Sequence, residues 1–292
     1  MSDRTVALVG LGNMGTPMAA RLVAGGHAVV GVDPHPVARA RLAAQDGRAV
    51  AHLRHASADV VLLLLPDSGV VEAVLGEALE EGLLGPGTTV VDMSSSDPER
   101  TRALAPRLAE AGVAFADAPV SGGVGGAEAG TLTIMFGGTA EVLADVTPLL
   151  SELGTVRHVG PVGAGHAVKA LNNLVSAVHL WATSEAVVLA GRYGVTSQAV
   201  LDVLNGSSGR SGSSEAKWPK FILPGSFDSG FSAALMLKDI RTATGLAAAS
   251  GLPTTLGETL EQLWSGALAT LPAGADHTEI ARVLTERADG LS

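Results

Sequence analysis

Two hydrophobic rhythms alternate along the first half of the chain. Short, nearly unbroken apolar runs at 5–10, 28–33, 60–65, 88–92 and 113–116 read as strands, whereas 14–24, 36–45 and 98–110 repeat their apolar residues with the helical period. Strands apolar on both faces and separated by helices predict a parallel sheet covered on both sides. Two further runs, "TLTIMFGG" at 131–138 and "VRHVG" at 156–160, flank one more helix and extend that sheet. Past residue 163 the rhythm changes. One apolar-rich helix is expected over 164–193, then helices near 196–204, 232–250, 255–269 and 277–288, with no strand pattern among them. Asp276 and Glu279 have the spacing of a capping box for the last helix, and "NGSSGRSGSS" at 205–214 reads as a loop. The organisation is therefore an α/β domain over 1–162 and an all-α domain over 163–292, with the long helix as connector.

Composition narrows the chemistry. Of 292 residues 47% are apolar but only 3% aromatic, so the core must be built of Ala, Val and Leu. A formal charge of −10 leaves no basic footprint for nucleic acid or an anionic membrane. The absence of cysteine removes disulfides, thiolate metal sites and a thiol nucleophile together. The eight histidines show no H-x-x-x-H spacing, so no metal is expected. The longest aliphatic run, 60–65, is too short to cross a bilayer, and no signal-peptide pattern precedes the first strand. A soluble, cytoplasmic protein is expected.

The first strand runs into Gly10-Leu11-Gly12-Asn13-Met14-Gly15, a G-x-G-x-x-G turn that opens a helix. Gly10 permits the tight turn, Gly12 lets the backbone approach a pyrophosphate, and Gly15 lets helix and strand pack closely. Asp33, ending the second strand about 20 residues on, is the acid that accepts a ribose diol. The α/β domain is thus read as a Rossmann-type dinucleotide-binding domain. An acid at this position repels a 2′-phosphate, and Pro34 and His35 supply no arginine for one, so NAD is favoured over NADP; Arg39 and Arg41 still lie within reach on the next helix. Two more strand ends belong on the same rim: "LLPDS" at 64–68, with Leu65 and Pro66, and "DMSSS" at 92–96, with Ser95 among three serines.

Hydride chemistry on an alcohol also needs a group for the hydroxyl proton. Lys169 and Asn173 in "GAGHAVKALNN" stand at i and i+4, on one helix face; spacing alone favours a lysine snorkelling at a domain edge and also allows a buried asparagine that satisfies backbone groups. His166, one turn earlier, is the rival acid/base, and Lys238-Asp239 in "LMLKDI" is a charged pair within an apolar helix.

Four blocks in order, "GLGNMG" at 10–15, "DAPVSGG" at 117–123, "GAGHAVKALNN" at 163–173 and "LMLKDI" at 235–240, closely resemble the β-hydroxyacid dehydrogenase family and span most of the chain. The resemblance implies an NAD(P)-dependent oxidoreductase that interconverts a small 3-hydroxy acid and its semialdehyde or keto acid. It makes Lys169 the general acid/base, with Asn173 orienting substrate and lysine. Ser121, Gly122 and Gly123 would hold the substrate carboxylate, with Lys238 closing over the cleft beside the cofactor and Phe231 near the nicotinamide. Homodimers or homotetramers are implied as well. A lysine acting as base near neutral pH needs a lowered pKa, which desolvation and the second cation, Lys238, would supply. Asp-Pro-His after the second strand departs from the Asn-Arg-Thr of NADP-preferring members. Arg210, in the serine-rich segment, is a candidate for a second anionic group on the substrate or a solvated loop residue. The competing readings are an imine reductase, which generally lacks the lysine, and a non-catalytic dinucleotide-binding regulatory protein.

Overall fold

β1 (Thr5–Val9), β2 (Ala28–Val32), β3 (Arg48–Val50), β4 (Val60–Leu63), β5 (Thr89–Asp92) and β6 (Ala114–Asp117) form the parallel part of one sheet, in the order β3-β2-β1-β4-β5-β6. This is the computed structural model of the chain, and it describes residues 4–290. Its residues divide into two compact units, one running through Lys169 and the other starting at Ala170.

In the first unit the strands alternate sides. Val6, Leu8, Val60 and Leu62 join a core that includes Met18 and Leu22 of α1 (Gly15–Ala24), which α2 (Pro36–Ala43) extends through Leu42. Ala7, Val9, Val61 and Leu63 face the other side, against Val71 and Leu75 of α3 (Ser68–Glu80) and Leu104 and Leu108 of α4 (Pro98–Glu110). All four β4 residues are buried, which is why their run shows no polar alternation. The expected strand ends two residues earlier than the apolar run does, before Pro66, which has no N–H to donate to a ladder. β3 gives no apolar run because it is a three-residue edge strand with an exposed arginine.

Beyond β6 come β7 (Val120–Ser121), α5 (Gly123–Ala129), β8 (Leu132–Gly137), α6 (Ala140–Leu150) and β9 (Gly154–Gly160). These extend the sheet, but not in parallel: β8 runs antiparallel to β6 and β7, and β9 parallel to β8. β8 meets β6 only at Asp117–Gly137 and pairs Ser121 with Thr133, so most of it lies beyond the carboxyl edge of the parallel strands. "DAPVSGG" is consequently not one turn. Asp117 ends β6, Val120–Ser121 is a short strand, and Gly122 caps α5.

α7 (Ala164–Gly191) passes from the first unit into the second, where α8 (Ser197–Asn205), α9 (Ala233–Ser250), α10 (Thr255–Leu268) and α11 (Ile280–Asp289) follow. The chain's three tryptophans, Trp181, Trp218 and Trp264, are all buried in this core, so the few aromatic residues are concentrated where helices pack on helices. By length and composition α7 resembles a membrane span, a feature that scanning for unbroken aliphatic runs overlooks. Ala177, Leu180, Trp181 and Val187 nevertheless set one of its faces in the core, and Asn173 and Ser184 are buried with them.

Two local expectations change. Residues 205–214 are not all loop: a π-helical segment, Ser213–Ile222, starts within them and buries Ser213 and Ser214. Asp276 caps the next turn through Thr278 N–H, but Glu279 binds Arg282 instead of completing a box.

Candidate active site

The glycine turn is tight where close contact demands it. Gly10 has φ +99°, and a Cβ there would stand 2.1 Å from the Leu64 carbonyl oxygen; one on Gly15 would stand 1.8 Å from that of Gly10. At Gly12 a Cβ would meet nothing within 4 Å. The backbone at Gly12, just before α1, is therefore unobstructed; a groove of about 750 Å³ begins there and runs along the flank of α1 past Thr16, Ala20 and Ala24 to Gly25, lined also by Arg41, Gln45 and Glu128. The open backbone of the 10–15 turn, leading into α1, is the cradle a pyrophosphate requires, so the residues present fit a dinucleotide. Leu11 N–H donates to Asp33 Oδ2 at 2.9 Å and His35 N–H to Oδ1 at 2.8 Å. Asp33 thus also ties the end of β2 to the turn, a task not visible in the motif. Arg39 folds back onto the carbonyls of Asp33 and Pro34, both at 2.8 Å. Of the two arginines considered for a 2′-phosphate, Arg41 is the one lining the groove.

The serine rim divides its labour. Ser94 Oγ accepts Leu65 N–H at 2.9 Å, and Ser96 Oγ donates to Asp92 Oδ2 at 2.8 Å; both serines are buried. Ser94 ties the end of β4 to that of β5, and Ser96 closes the loop after β5 back onto Asp92, so neither hydroxyl is offered outward. Ser95, between them, is half-buried, while Pro66 is exposed.

Asp117, fully buried, is a residue sequence reasoning passed over. Its Oδ1 accepts Gly163 N–H at 2.6 Å and its Oδ2 accepts His166 N–H at 2.7 Å, which satisfies two donors at the start of α7. Burial raises the Asp117 pKa, and the two N–H donors and His166 oppose the rise. His166 Nδ1 lies 2.8 Å from Thr101 Oγ1 and Nε2 lies 3.7 Å from Asp92 Oδ2, with 1% of the residue exposed. The rival acid/base is thereby packed into the anchorage of α7. Further along "DAPVSGG", Ser121 is half-buried, and Gly122 (φ +136°) and Gly123 (φ +65°) are exposed at the start of α5.

Lys169 is buried, and Asn173 follows one turn later along the same helix. In the second unit Asn173 Nδ2 donates to Asp239 Oδ2 at 2.6 Å, and Lys238 Nζ stands 3.3 Å from Asp239 Oδ1. Asp239 is 3% exposed, so the charged pair on α9 is half inside, contrary to the surface reading that adjacency allows. Phe231 is fastened by the loop before α11: its carbonyl accepts His277 N–H at 2.9 Å, and the two rings meet edge-on at 5.7 Å. Burial lowers the His277 pKa, and the Lys217 ammonium pushes the same way. Arg210 is exposed and pairs with Glu215 at 2.8 Å.

A parallel sheet with an open glycine turn before its first helix, followed by a long helix that buries a lysine, is the arrangement expected of a nicotinamide-dependent dehydrogenase. Residues 5–188 match the model of the NAD-binding domain of 6-phosphogluconate dehydrogenase, and residues 163–284 that of the NAD-binding domain of NADP-dependent 3-hydroxyisobutyrate dehydrogenase. The 2-(hydroxymethyl)glutarate dehydrogenase of Eubacterium barkeri is 38% identical over 89% of this chain and 88% of its own length. The NAD-dependent L-serine dehydrogenase of Pseudomonas aeruginosa is 38% identical over 87% and 89%. The solved structure of Mycobacterium tuberculosis 3-hydroxyisobutyrate dehydrogenase with L-serine superposes with a TM-score of 0.88 at 35% identity, covering 97% of this chain and 99% of that one. The chain belongs to the β-hydroxyacid dehydrogenase family and is an NAD(P)-dependent 3-hydroxyacid dehydrogenase. Imine reductases, for example that of Myxococcus stipitatus at 15% identity and TM-score 0.66, share only the fold.

Proposed function

We propose that Lys169 is the general acid/base of this enzyme and that Asn173 orients the substrate beside it. The observation carrying the proposal is the burial of Lys169 on a helix whose next turn presents Asn173 with its amide aimed by Asp239. When bound, the nicotinamide takes or gives the hydride. On oxidation the hydroxyl proton passes to the Lys169 amine; on reduction the ammonium returns it to the carbonyl oxygen and stabilises the developing alkoxide. Ser121, Gly122 and Gly123 hold the substrate carboxylate, the hydroxyl and glycine N–H groups accommodating an anion without side-chain bulk. Leu11, Asn13, Met14, Leu65, Pro66, Ser95, Phe231 and Lys238 contribute to the cofactor site. NAD is the preferred cofactor because Asp33 places a carboxylate against a 2′-phosphate and Arg39 is engaged with backbone carbonyls. Assay of 3-hydroxyisobutyrate, 3-hydroxypropionate, glycerate, serine and threonate with each cofactor tests this. Turnover with kcat/KM at least tenfold higher for NAD than NADP is expected; equal or reversed preference refutes the role of Asp33.

A soluble, cytoplasmic homodimer or homotetramer is proposed as the working form. Leu171, Val175 and Leu189 are 48%, 51% and 62% exposed along α7, an apolar stripe suited to a second copy. Val175→Asp should reduce the assembly mass seen by light scattering; an unchanged mass would remove α7 from the interface.

A further inference from the structure

On α7 the positions of Lys169, Asn173 and Ser176 fall within about 60° of one another at roughly 100° per residue, so they share one face. Within the second unit, the Lys217 ammonium donates to Ser176 Oγ at 2.8 Å. Its half-buried side chain therefore ends on the face that carries Asn173, one helical turn and about 4–5 Å further along the axis. Lys217 belongs to the π-helical segment Ser213–Ile222, a geometry that often marks functional positions. It also lies close enough to His277 to act on that buried imidazole, whose Nε2 has no hydrogen-bond partner among the described residues.

A cation here is unnecessary for a small monocarboxylic hydroxy acid, whose one anionic group is assigned to Ser121–Gly123. Asn173 holds the substrate near its reacting carbon, so a group meeting Lys217 must be one or two methylenes further out. Arg210 is the other cation that the sequence offers for such a group, but it is turned to Glu215 and solvent.

We propose that Lys217 recognises a second carboxylate at the far end of the substrate, making this chain a dehydrogenase of 3-hydroxy dicarboxylates of roughly glutarate length. The assignment rests on the reading of Asn173 as the substrate-orienting residue. Lys217 thus decides specificity and takes no part in proton transfer. A carboxylate replaces or joins Ser176 Oγ on the ammonium, and a charge-assisted contact of this kind discriminates strongly against a substrate that lacks it.

The test compares 2-(hydroxymethyl)glutarate with 3-hydroxyisobutyrate as alcohol substrates, using the full chain with saturating NAD. The wild-type enzyme should favour the diacid by about tenfold to hundredfold in kcat/KM. Lys217→Ala should erase that advantage chiefly through KM, leave the monoacid within about threefold, and leave NAD affinity and the melting temperature unchanged. Lys217→Arg should restore most of the preference, and Lys217→Glu should reverse it. Wild-type turnover of the monoacid with no advantage for the diacid would overturn the proposal and leave the dehydrogenase site intact. Equal losses on both substrates in Lys217→Ala would overturn it too, reducing Lys217 to a structural role. Turnover of neither acid would overturn it together with the reading of Asn173 on which it rests.

Discussion

Lys169→Ala is expected to lower kcat by about a thousandfold or more while leaving NAD affinity within about twofold. Removing the amine takes away both the acceptor for the hydroxyl proton on oxidation and the charge that stabilises an alkoxide on reduction. Because the loss falls on the transition state, kcat and kcat/KM should fall together. The cofactor cradle is built separately, from the 10–15 turn and Asp33, and has no part in the change. Lys169→Arg should fail almost as badly, since a guanidinium does not give up its proton near neutral pH. Steady-state kinetics with calorimetric titration of NAD distinguishes the outcomes. A variant turning over within tenfold of wild type would remove Lys169 from the chemistry.

Asp117→Ala is the second large effect. Both carboxylate oxygens accept backbone N–H groups at the start of α7, and the site is completely buried. Alanine leaves two donors without acceptors in a place that water does not reach readily, at a cost of about 3 kcal/mol or more. It also releases the end of the helix that carries His166 and Lys169, so kcat should fall although Asp117 is no participant in proton transfer. Asp117→Asn retains one acceptor of comparable size and should lie between the two. Urea unfolding monitored by circular dichroism, alongside kcat, provides the check. An unchanged midpoint with unchanged turnover would show that α7 is anchored elsewhere.

These two residues differ in how visible they were. Lys169 is noticeable as a lysine within an apolar helical period, but spacing favours a snorkelling side chain, and its chemical role comes from the resemblance carried by the 163–173 block. Asp117 is not noticeable, because an acid at the end of a strand is common and its partners are 46 and 49 residues away. Asp239 was similarly hidden: adjacency to Lys238 suggests a surface pair, and only the packing of α9 shows the carboxylate buried on Asn173. Ser94 and Ser96 misled in the opposite direction. Three serines at a strand end look like outward donors, yet Ser94 ties β5 to β4 and Ser96 turns back onto Asp92. The helical turn of Ser213–Ile222 escaped because its polar residues and Pro219 obscure any period.

By itself the sequence determined the α/β-then-α organisation, five of the six strands of the parallel sheet and the dinucleotide turn. All of these follow from local rules: short unbroken apolar runs for strands buried on both faces, an apolar period of 3.6 residues for helices, and glycines where φ or close approach leaves no alternative. The tertiary structure alone decided the antiparallel course of β8, the inward hydrogen bonds of Asp117, Ser94 and Ser96, and the meeting of Lys217 with Ser176. Those depend on which distant donors and acceptors are brought together once water is excluded. Burial makes an unmatched polar group expensive, so each buried one must find its partner, wherever in the chain that partner lies.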